Sequence, residues 1–123
     1  MSTVAAKEER LDLVFHALSD RTRRALMHRL ASEGTSKITD LAEPFAMSLP
    51  AVSKHLRVLE DARLVSRAVD GRVHRFRLVP ESLAPADVWL DGYRSFWEDT
   101  LEALANYAER TPVPNKRGKR KSS

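Results

Sequence analysis

The stretch "SLPAVSKHLRVLE", residues 48–60, has two unlike sides when it is drawn as a helix. Val52, Leu56 and Leu59 follow the spacing of four and three residues that places side chains on one helix face. The opposite side and its flanks carry hydroxyls, small apolar groups and cations: Ser48, Pro50, Ala51, Ser53, Lys54, His55 and Arg57. One side is therefore predicted to pack against the protein, and the other to face a partner.

The segments before this stretch predict three more helices, because apolar residues recur in them at helical spacing. Asp20 can cap the second helix, and Gly34 can close it in a left-handed conformation. The third is short, with Thr39 as a candidate cap and Pro44 expected to shorten it. Ser48 then caps the helix of the opening stretch, which is predicted to run to about residue 62.

The segment after this helix changes from a helical to a strand-like pattern. Residues 64–69 are β-compatible, Asp70-Gly71 is a strong hairpin turn, and residues 72–78 alternate. On the second strand His74 shares a face with Phe76, so a packed histidine is favoured there over a histidine that contacts a partner. The sequence therefore predicts a two-stranded hairpin directly after the helix.

The order of helix, short helix, tight turn, helix and hairpin is that of a winged helix-turn-helix, a mainly α fold with a small β-hairpin. The second helix of such a motif fits a DNA major groove, which is wide enough for one helix. The candidate groove contacts are the outward residues Ser48, Pro50, Ala51, Ser53, Lys54, His55 and Arg57. The candidate contacts from the hairpin, or wing, are Arg67, Arg72 and Arg75.

A further helix is predicted from about residue 86 to 109, and it completes a domain over residues 1–110. Its apolar stripe is rich in aromatic residues: Trp89, Tyr93, Phe96, Trp97, Leu101 and Leu104. Such a patch is larger than monomers usually expose. Pairing of two chains would bury it and set two recognition helices about one DNA turn apart, ~34 Å. Residues 111–123 are predicted to be a basic, disordered tail.

The charge distribution also points to nucleic acid. The net charge is +4, but residues 48–77 carry +4, residues 78–115 carry −5 and the last eight residues carry +5. A basic middle segment fits a polyanionic partner. The chain has no cysteine, no apolar segment of ~20 residues and no apolar signal core near its first residue. We therefore expect a cytoplasmic protein without disulfides, thiolate metal sites or a membrane partner.

Four stretches resemble the ArsR/SmtB family of bacterial winged-helix repressors: "ALSDRTRRALMHRLA", "ITDLAEPFAMSLPAVSKHLRVLEDARLV", "DGRVHRFRL" and "WLDGYRSFWEDTLEALANYAE". The resemblance covers roughly residues 10–108. It implies a cytoplasmic homodimer that binds a palindromic operator in double-stranded DNA and blocks transcription. It also implies pairing through the first and last helices, so that Leu11 and Phe15 join the aromatic stripe in the interface.

The chain departs from the metal-sensing members of this family. Those members use thiolates on the helix before the recognition helix, or Asp and His on the last helix. Here the first of these segments reads "TDLAEPF" and the last helix has no histidine. The histidines His16, His28, His55 and His74 lie on four different elements, so no metal and no cofactor is predicted. The Cys-less members respond to diverse signals, so no effector is predicted either.

Three positions differ from the residue that is common in the family. Arg21 replaces a first-turn proline, Ala46 replaces the glycine of the turn, and Arg63 replaces the glycine that closes the recognition helix. A left-handed conformation at Ala46 or Arg63 would cost on the order of 1 kcal/mol.

Other interpretations of the same residues stay open. Ser53 and His55 diverge by about 200° on a helix, which argues against a hydrolase pair, and no enzyme is predicted. Arg23 and Arg24 either touch the DNA backbone or pair with carboxylates, and His55 either packs or binds phosphate. The whole chain could instead be a winged protein-interaction module, or a small-molecule-responsive regulator with a ligand site at its dimer interface.

Overall fold

A computed structural model of the protein describes residues 3–110, and the basic tail predicted over residues 111–123 lies outside them. The chain forms two compact units that divide after Val88. The elements in chain order are α1 (Thr3–Leu18), α2 (Arg21–Glu33), β1 (Ser36–Lys37), α3 (Ile38–Ala42), α4 (Leu49–Asp61), β2 (Val65–Asp70), β3 (Val73–Leu78), a 3-10 turn (Pro80–Leu83), α5 (Ala84–Asp91) and α6 (Arg94–Arg110).

Both ends of α2 are closed by the residues that the sequence predicts. The Asp20 carboxylate accepts hydrogen bonds from the backbone N–H groups of Thr22 at 2.8 Å and Arg23 at 3.1 Å. At the other end Gly34 has a positive φ of 78°, and its N–H donates to the Leu30 carbonyl at 2.9 Å. Its ψ of −155° is outside the left-handed helical region that the sequence predicts, but the positive φ is still one that favours glycine. A short polar cap and this glycine thus fix the length of the helix.

The C-terminus of α1 is capped by arginines from α2. The buried Arg23 donates from Nε to the Ala17 carbonyl at 2.8 Å and from Nη2 to the His16 carbonyl at 3.1 Å. Arg24 donates from Nη1 to the Leu18 carbonyl at 2.6 Å. The last carbonyls of a helix lack partners within it and carry negative partial charge, so guanidinium groups stabilise them.

The helix α3 directly follows β1, a strand that the sequence does not predict. Ser36 pairs with Phe76 and Lys37 with Arg75, so β1 adds a third antiparallel strand in the order β1-β3-β2. Because the chain is extended through Lys37, that residue is the N-cap of α3, and the prediction of Thr39 as cap is wrong. The helix ends at Ala42, before Pro44, as predicted.

The wing is the hairpin of β2 and β3, paired from Val65 opposite Leu78 to Asp70 opposite Val73. Its loop residues are Gly71 and Arg72, one position later than the predicted Asp70-Gly71. Gly71 has a φ of 64°, as the first central residue of a two-residue hairpin loop often requires.

The core of the first unit lies between the helices and the sheet. Val52, Leu56 and Leu59 are fully buried, which confirms the predicted inner face of α4. They belong to one cluster with the other buried apolar residues, Val14, Ala17, Leu26, Met27, Leu30, Leu41, Ala42, Ala62, Leu64, Val65, Phe76 and Ala86. On β3 the core-facing side is that of Phe76, as the alternation predicts.

The second unit holds the end of α5 and all of α6. The single helix predicted over residues 86–109 is instead two helices separated by a turn at Gly92 and Tyr93. In this turn Gly92 N–H donates to the Trp89 carbonyl and Tyr93 N–H to the Leu90 carbonyl, both to the third residue back. Glycine is a poor helix former, which explains the break. No helix within residues 3–110 is long and apolar enough to span a membrane.

Candidate nucleic-acid interface

The outward face of α4 carries the residues that the sequence assigns to the groove. Lys54 and Arg57 are exposed, as are Ser48 and Pro50, while Ala51 and Ser53 are half-buried. Ser48 Oγ accepts from the Ala51 N–H at 3.3 Å, which confirms it as the N-cap and leaves its hydroxyl proton free to donate outward. Short donors and long cations therefore lie on one accessible side of a helix whose other side is core.

The C-terminus of α4 ends in a Schellman motif around Arg63. Arg63 has a φ of 61°, the only positive φ of a residue other than glycine within residues 3–110. Its N–H donates to the Glu60 carbonyl at 2.8 Å, and the Leu64 N–H donates to the Leu59 carbonyl at 2.9 Å. Of the two positions expected to be strained, Arg63 is left-handed and Ala46 is not.

A side chain from α1 completes this closure. Arg10 Nη2 donates to the Ala62 carbonyl at 2.7 Å, so a cation lies at the negative end of the α4 dipole. Leu64 is fully buried directly after the motif. The point at which the helix ends and the wing begins is thus set by backbone bonds, a guanidinium and a buried leucine.

His55 points toward α2 rather than straight outward. Its Nδ1 lies 3.1 Å from Arg23 Nη1 and 3.8 Å from Asp20 Oδ2. Since arginine only donates, Nδ1 accepts and the proton of the neutral ring lies on Nε2. The sequence leaves two alternatives for His55, packing against a neighbour and binding phosphate. The contact of Nδ1 with Arg23 shows that this side of the ring packs against a neighbour. Arg23 likewise forms structural contacts, and Glu33 pairs with Arg29 at 3.3 Å.

Besides capping α2, the Asp20 carboxylate lies beside the contact between His55 and Arg23. The backbone N–H of Arg23 is the main cause that lowers the pKa of the Asp20 carboxyl, with smaller contributions from the Thr22 N–H and from the nearby His55 and Arg23 side chains, while burial opposes the shift. The carboxylate therefore stays charged at the start of α2, beside the contact between Arg23 and the recognition helix.

The wing arginines do not share one environment. Arg72, in the loop, and Arg75 are exposed. Arg67 is half-buried near the middle of the wing, opposite Phe76. It donates to both carboxylate oxygens of Glu60, at 3.0 Å and 2.6 Å. Of the three wing arginines assigned from the sequence, Arg72 and Arg75 are thus the exposed ones.

The strand β1 adds a cation that sequence reasoning missed. Lys37 lies directly opposite Arg75, and residues directly opposite in an antiparallel pair share a face. Arg77 lies on the same face of β3, and all three side chains are exposed. Like charges placed side by side repel, so this face is suited to a polyanion. A two-residue strand has no periodicity from which Lys37 could have been found.

The apolar side chains assigned to pairing are exposed in the second unit. Trp89, Tyr93, Phe96, Trp97, Leu101 and Leu104 are all exposed, and so is Tyr107. The Trp89 and Tyr93 rings lie 4.9 Å apart between centroids. In the first unit Phe15 is exposed, whereas Leu11 is half-buried and packs against the core.

The titratable residues do not assemble into a metal centre. Among residues 3–110 no group of three or more His, Cys, Asp or Glu side chains lies close enough to hold a metal ion. The four histidines lie on α1, α2, α4 and β3, as the sequence predicts.

A helix-turn-helix built from α3 and α4 and followed by a wing defines a winged helix-turn-helix DNA-binding domain. A family model described as a helix-turn-helix domain matches residues 18–67. The HTH-type transcriptional regulator Rv2034 of Mycobacterium tuberculosis is 41% identical over 98 residues, which cover 80% of this chain and 85% of that protein.

Two further proteins extend this similarity. The transcriptional repressor SdpR of Bacillus subtilis is 34% identical over 77 residues, 63% of this chain and 84% of that protein. The crystal structure of the ArsR family transcriptional regulator RHA00566 has a TM-score of 0.68 and 37% identity, and the match covers 74% of this chain and 93% of that one. The chain belongs to the ArsR family of winged helix-turn-helix, DNA-binding transcriptional regulators.

Proposed function

We infer that this protein is a homodimeric repressor that binds a palindromic operator in double-stranded DNA. The observation that carries this function is the division of α4, with Val52, Leu56 and Leu59 buried on one side and Lys54 and Arg57 exposed on the other. A helix held by its inner face presents its outer face without a large loss of order on binding.

The outer face of α4 supplies the sequence-reading contacts. Arg57 and Lys54 reach guanine edges or phosphates, and Pro50 and Ala51 contact thymine methyl groups. Ser48 donates its hydroxyl proton to a phosphate, and Ser53 does the same from the flank. On the wing Arg72 and Arg75 bind the backbone or the minor groove. Arg67 is left out of this set because its guanidinium is paired with Glu60. His55 stays in the set through Nε2, since only its Nδ1 lies against Arg23.

Two chains pair through the apolar residues of α1 and α6. Phe96 is 68% exposed and Leu101 is 65% exposed, and an isolated chain rarely leaves so many large apolar side chains in water. Pairing buries them and relates two α4 helices by a twofold axis, which matches a palindromic site.

Binding, without catalysis and without a metal, is the whole of the activity that we propose. The protein represses transcription, the role that the name of its relative, the transcriptional repressor SdpR, gives to that protein. Because its partner is chromosomal DNA, we place it in the cytoplasm. Ser53 and His55 do not form a nucleophile–base pair, since His55 Nδ1 is directed to Arg23 at 3.1 Å.

The test is binding to the protein's own upstream DNA and to a scrambled duplex over a salt series, with footprinting. We expect a protected palindrome with half-sites about one turn apart. Lys54→Ala and Arg57→Ala should each weaken specific binding by about five- to hundredfold for each half-site, the range of one good base contact. Arg110→Ala removes the same charge from α6, which is not assigned to the groove, and should leave the affinity unchanged.

Equal, weak binding to both duplexes would refute the operator proposal and favour a protein-interaction module. Unchanged affinity in both the Lys54 and the Arg57 variant would refute the assignment of α4 to the groove.

A further inference from the structure

Arg67 connects the three elements that form the recognition surface. Its Nε donates to Glu60 Oε2 at 3.0 Å and its Nη2 donates to Glu60 Oε1 at 2.6 Å, a bidentate ion pair between β2 and α4. Its Nη1 lies 3.1 Å from His74 Nδ1 on β3. Its guanidinium carbon also lies 5.0 Å from the centre of the Phe76 ring, which is almost fully buried.

These contacts use three of the five N–H groups of the Arg67 side chain, one on each nitrogen. Each of Nε, Nη1 and Nη2 has a protein partner, and the guanidinium plane is covered on one side by the Phe76 ring. Since arginine only donates, His74 Nδ1 is an acceptor, and its ring is held in one tautomer. A planar fork that is bound bidentately and stacked on an aromatic ring has a fixed orientation.

The cluster also lies between α4 and the wing, where it can affect the angle between them. Glu60 is in the last turn of α4, on the helix that carries Arg57, and His74 is on the strand that carries Arg75. The connection between α4 and β2 is only residues 62–64, so the side-chain cluster and the Schellman motif are the links that join helix and wing there.

We propose that the Glu60–Arg67–His74 cluster sets the angle between α4 and the wing, so that both reach one duplex together. Arg67 is thus a positioning residue and not a DNA contact. This inference rests on the proposed function, because it assumes that α4 and the wing bind DNA. The proposal also means that Glu60, although it is a carboxylate, favours the binding of a polyanion.

The role of Glu60 can be tested by replacing it. A positioning role and a DNA-contacting role of Arg67 then predict opposite changes in the affinity for DNA. If Arg67 only positions the wing, Glu60→Gln loses the ion pair and weakens binding to the upstream duplex by about three- to tenfold, the range expected for a coupled pair. If Arg67 instead contacts phosphate, Glu60→Gln removes a negative charge, frees the guanidinium and strengthens binding. Asp61→Asn, an equal charge change at the next position of α4, is the matched control and should not weaken binding.

A double-mutant cycle measures the coupling directly. Arg67→Gln should weaken binding in the parent protein and have little further effect in the Glu60→Gln background. Additive effects, or tighter binding of Glu60→Gln, would overturn the proposal. Glu60→Asp keeps the charge but shortens the side chain by one methylene, so weaker binding by this variant, with an unchanged circular dichroism spectrum, would separate geometry from charge. Binding by Glu60→Asp equal to that of the parent would also overturn it.

The Arg57→Ala and Lys54→Ala variants in the same series separate this inference from the proposed function. If Arg57→Ala and Lys54→Ala both bind like the parent, α4 does not enter the groove and both proposals fail. If Arg57→Ala binds weakly while Glu60→Gln binds more tightly than the parent, only the positioning role of Arg67 is refuted.

Discussion

Replacing Arg63 with glycine should stabilise the protein, because this residue closes α4 in a conformation that side chains disfavour. Its φ is 61°, and the two bonds of the Schellman motif, at 2.8 Å and 2.9 Å, are both made by backbone groups. Arg63→Gly keeps these bonds and removes the clash of Cβ with the backbone. The arginine side chain is exposed, so little packing is lost.

The magnitude follows from two opposing terms. A left-handed conformation costs a residue with a Cβ about 1–2 kcal/mol. Glycine loses more backbone entropy on folding, about 0.5–1 kcal/mol. The net gain in the free energy of unfolding is about 0.5–1 kcal/mol, which raises the Tm by about 2–5 °C for a chain of this size.

The assay is thermal unfolding followed by circular dichroism at one fixed protein concentration, since a dimer's Tm depends on concentration. Arg63→Ala is the matched control, because it removes the same charge and the same long side chain but keeps the strained Cβ. Ala62→Gly is a second control, at a φ of −83°, where glycine relieves no strain. It should lower the Tm through the entropy loss and the loss of a buried methyl group. If Arg63→Gly is no more stable than Arg63→Ala, the strain argument is wrong.

Three further predictions concern the pairing face, the wing and the α2 cap. Phe96→Glu should place a charge in the buried interface and yield monomers in sedimentation velocity; a variant that sediments as a dimer would exclude this interface. Arg72→Ala should reduce the slope of log affinity against log salt by about 0.9 for each chain, or about 1.8 for the dimer, whereas an unchanged slope would mean that no phosphate contact was lost. Asp20→Ala should lower the free energy of unfolding by about 1 kcal/mol at neutral pH. Because the pKa of Asp20 is lowered in the folded state, its stabilising effect is complete above the unfolded value of 3.8 and disappears as the pH falls through the folded value. Urea unfolding of parent and variant should therefore converge in acid, and a constant difference would contradict the role of the charged cap.

Local signals in the sequence predict the recognition helix well. The spacing of Val52, Leu56 and Leu59 identifies the inner face of α4, and Ser48 identifies its first turn, because burial and capping depend on residues close in the chain. Gly34 is predicted for the same reason. The fold class follows from the order of such local elements.

Features that depend on contacts between distant elements are the ones that the sequence does not reveal. The strand β1 is two residues long and exists only because β3 offers it an edge. Arg23 appears in a basic run, yet it is buried, because the free carbonyls at the end of α1 lie within its reach. Gly92 was available as a local signal for the break between α5 and α6, but the continuous apolar stripe across it favoured one helix.

The arginines of this protein fall into two groups that net charge does not distinguish. Arg10, Arg23 and Arg24 donate to carbonyls at the C-termini of helices, and Arg67 is neutralised by Glu60. The Arg67–Glu60 pair cancels within the +4 of residues 48–77, and Arg10, Arg23 and Arg24 lie outside this segment. The charge available to DNA is therefore concentrated on the exposed side chains of α4 and the sheet. The inward-pointing arginines hold α4 at its middle through His55, at its end through the Ala62 carbonyl and at the wing through Glu60. A helix fixed at three points can place a few cations accurately, so specificity in this domain should depend more on these buried contacts than on the number of positive charges.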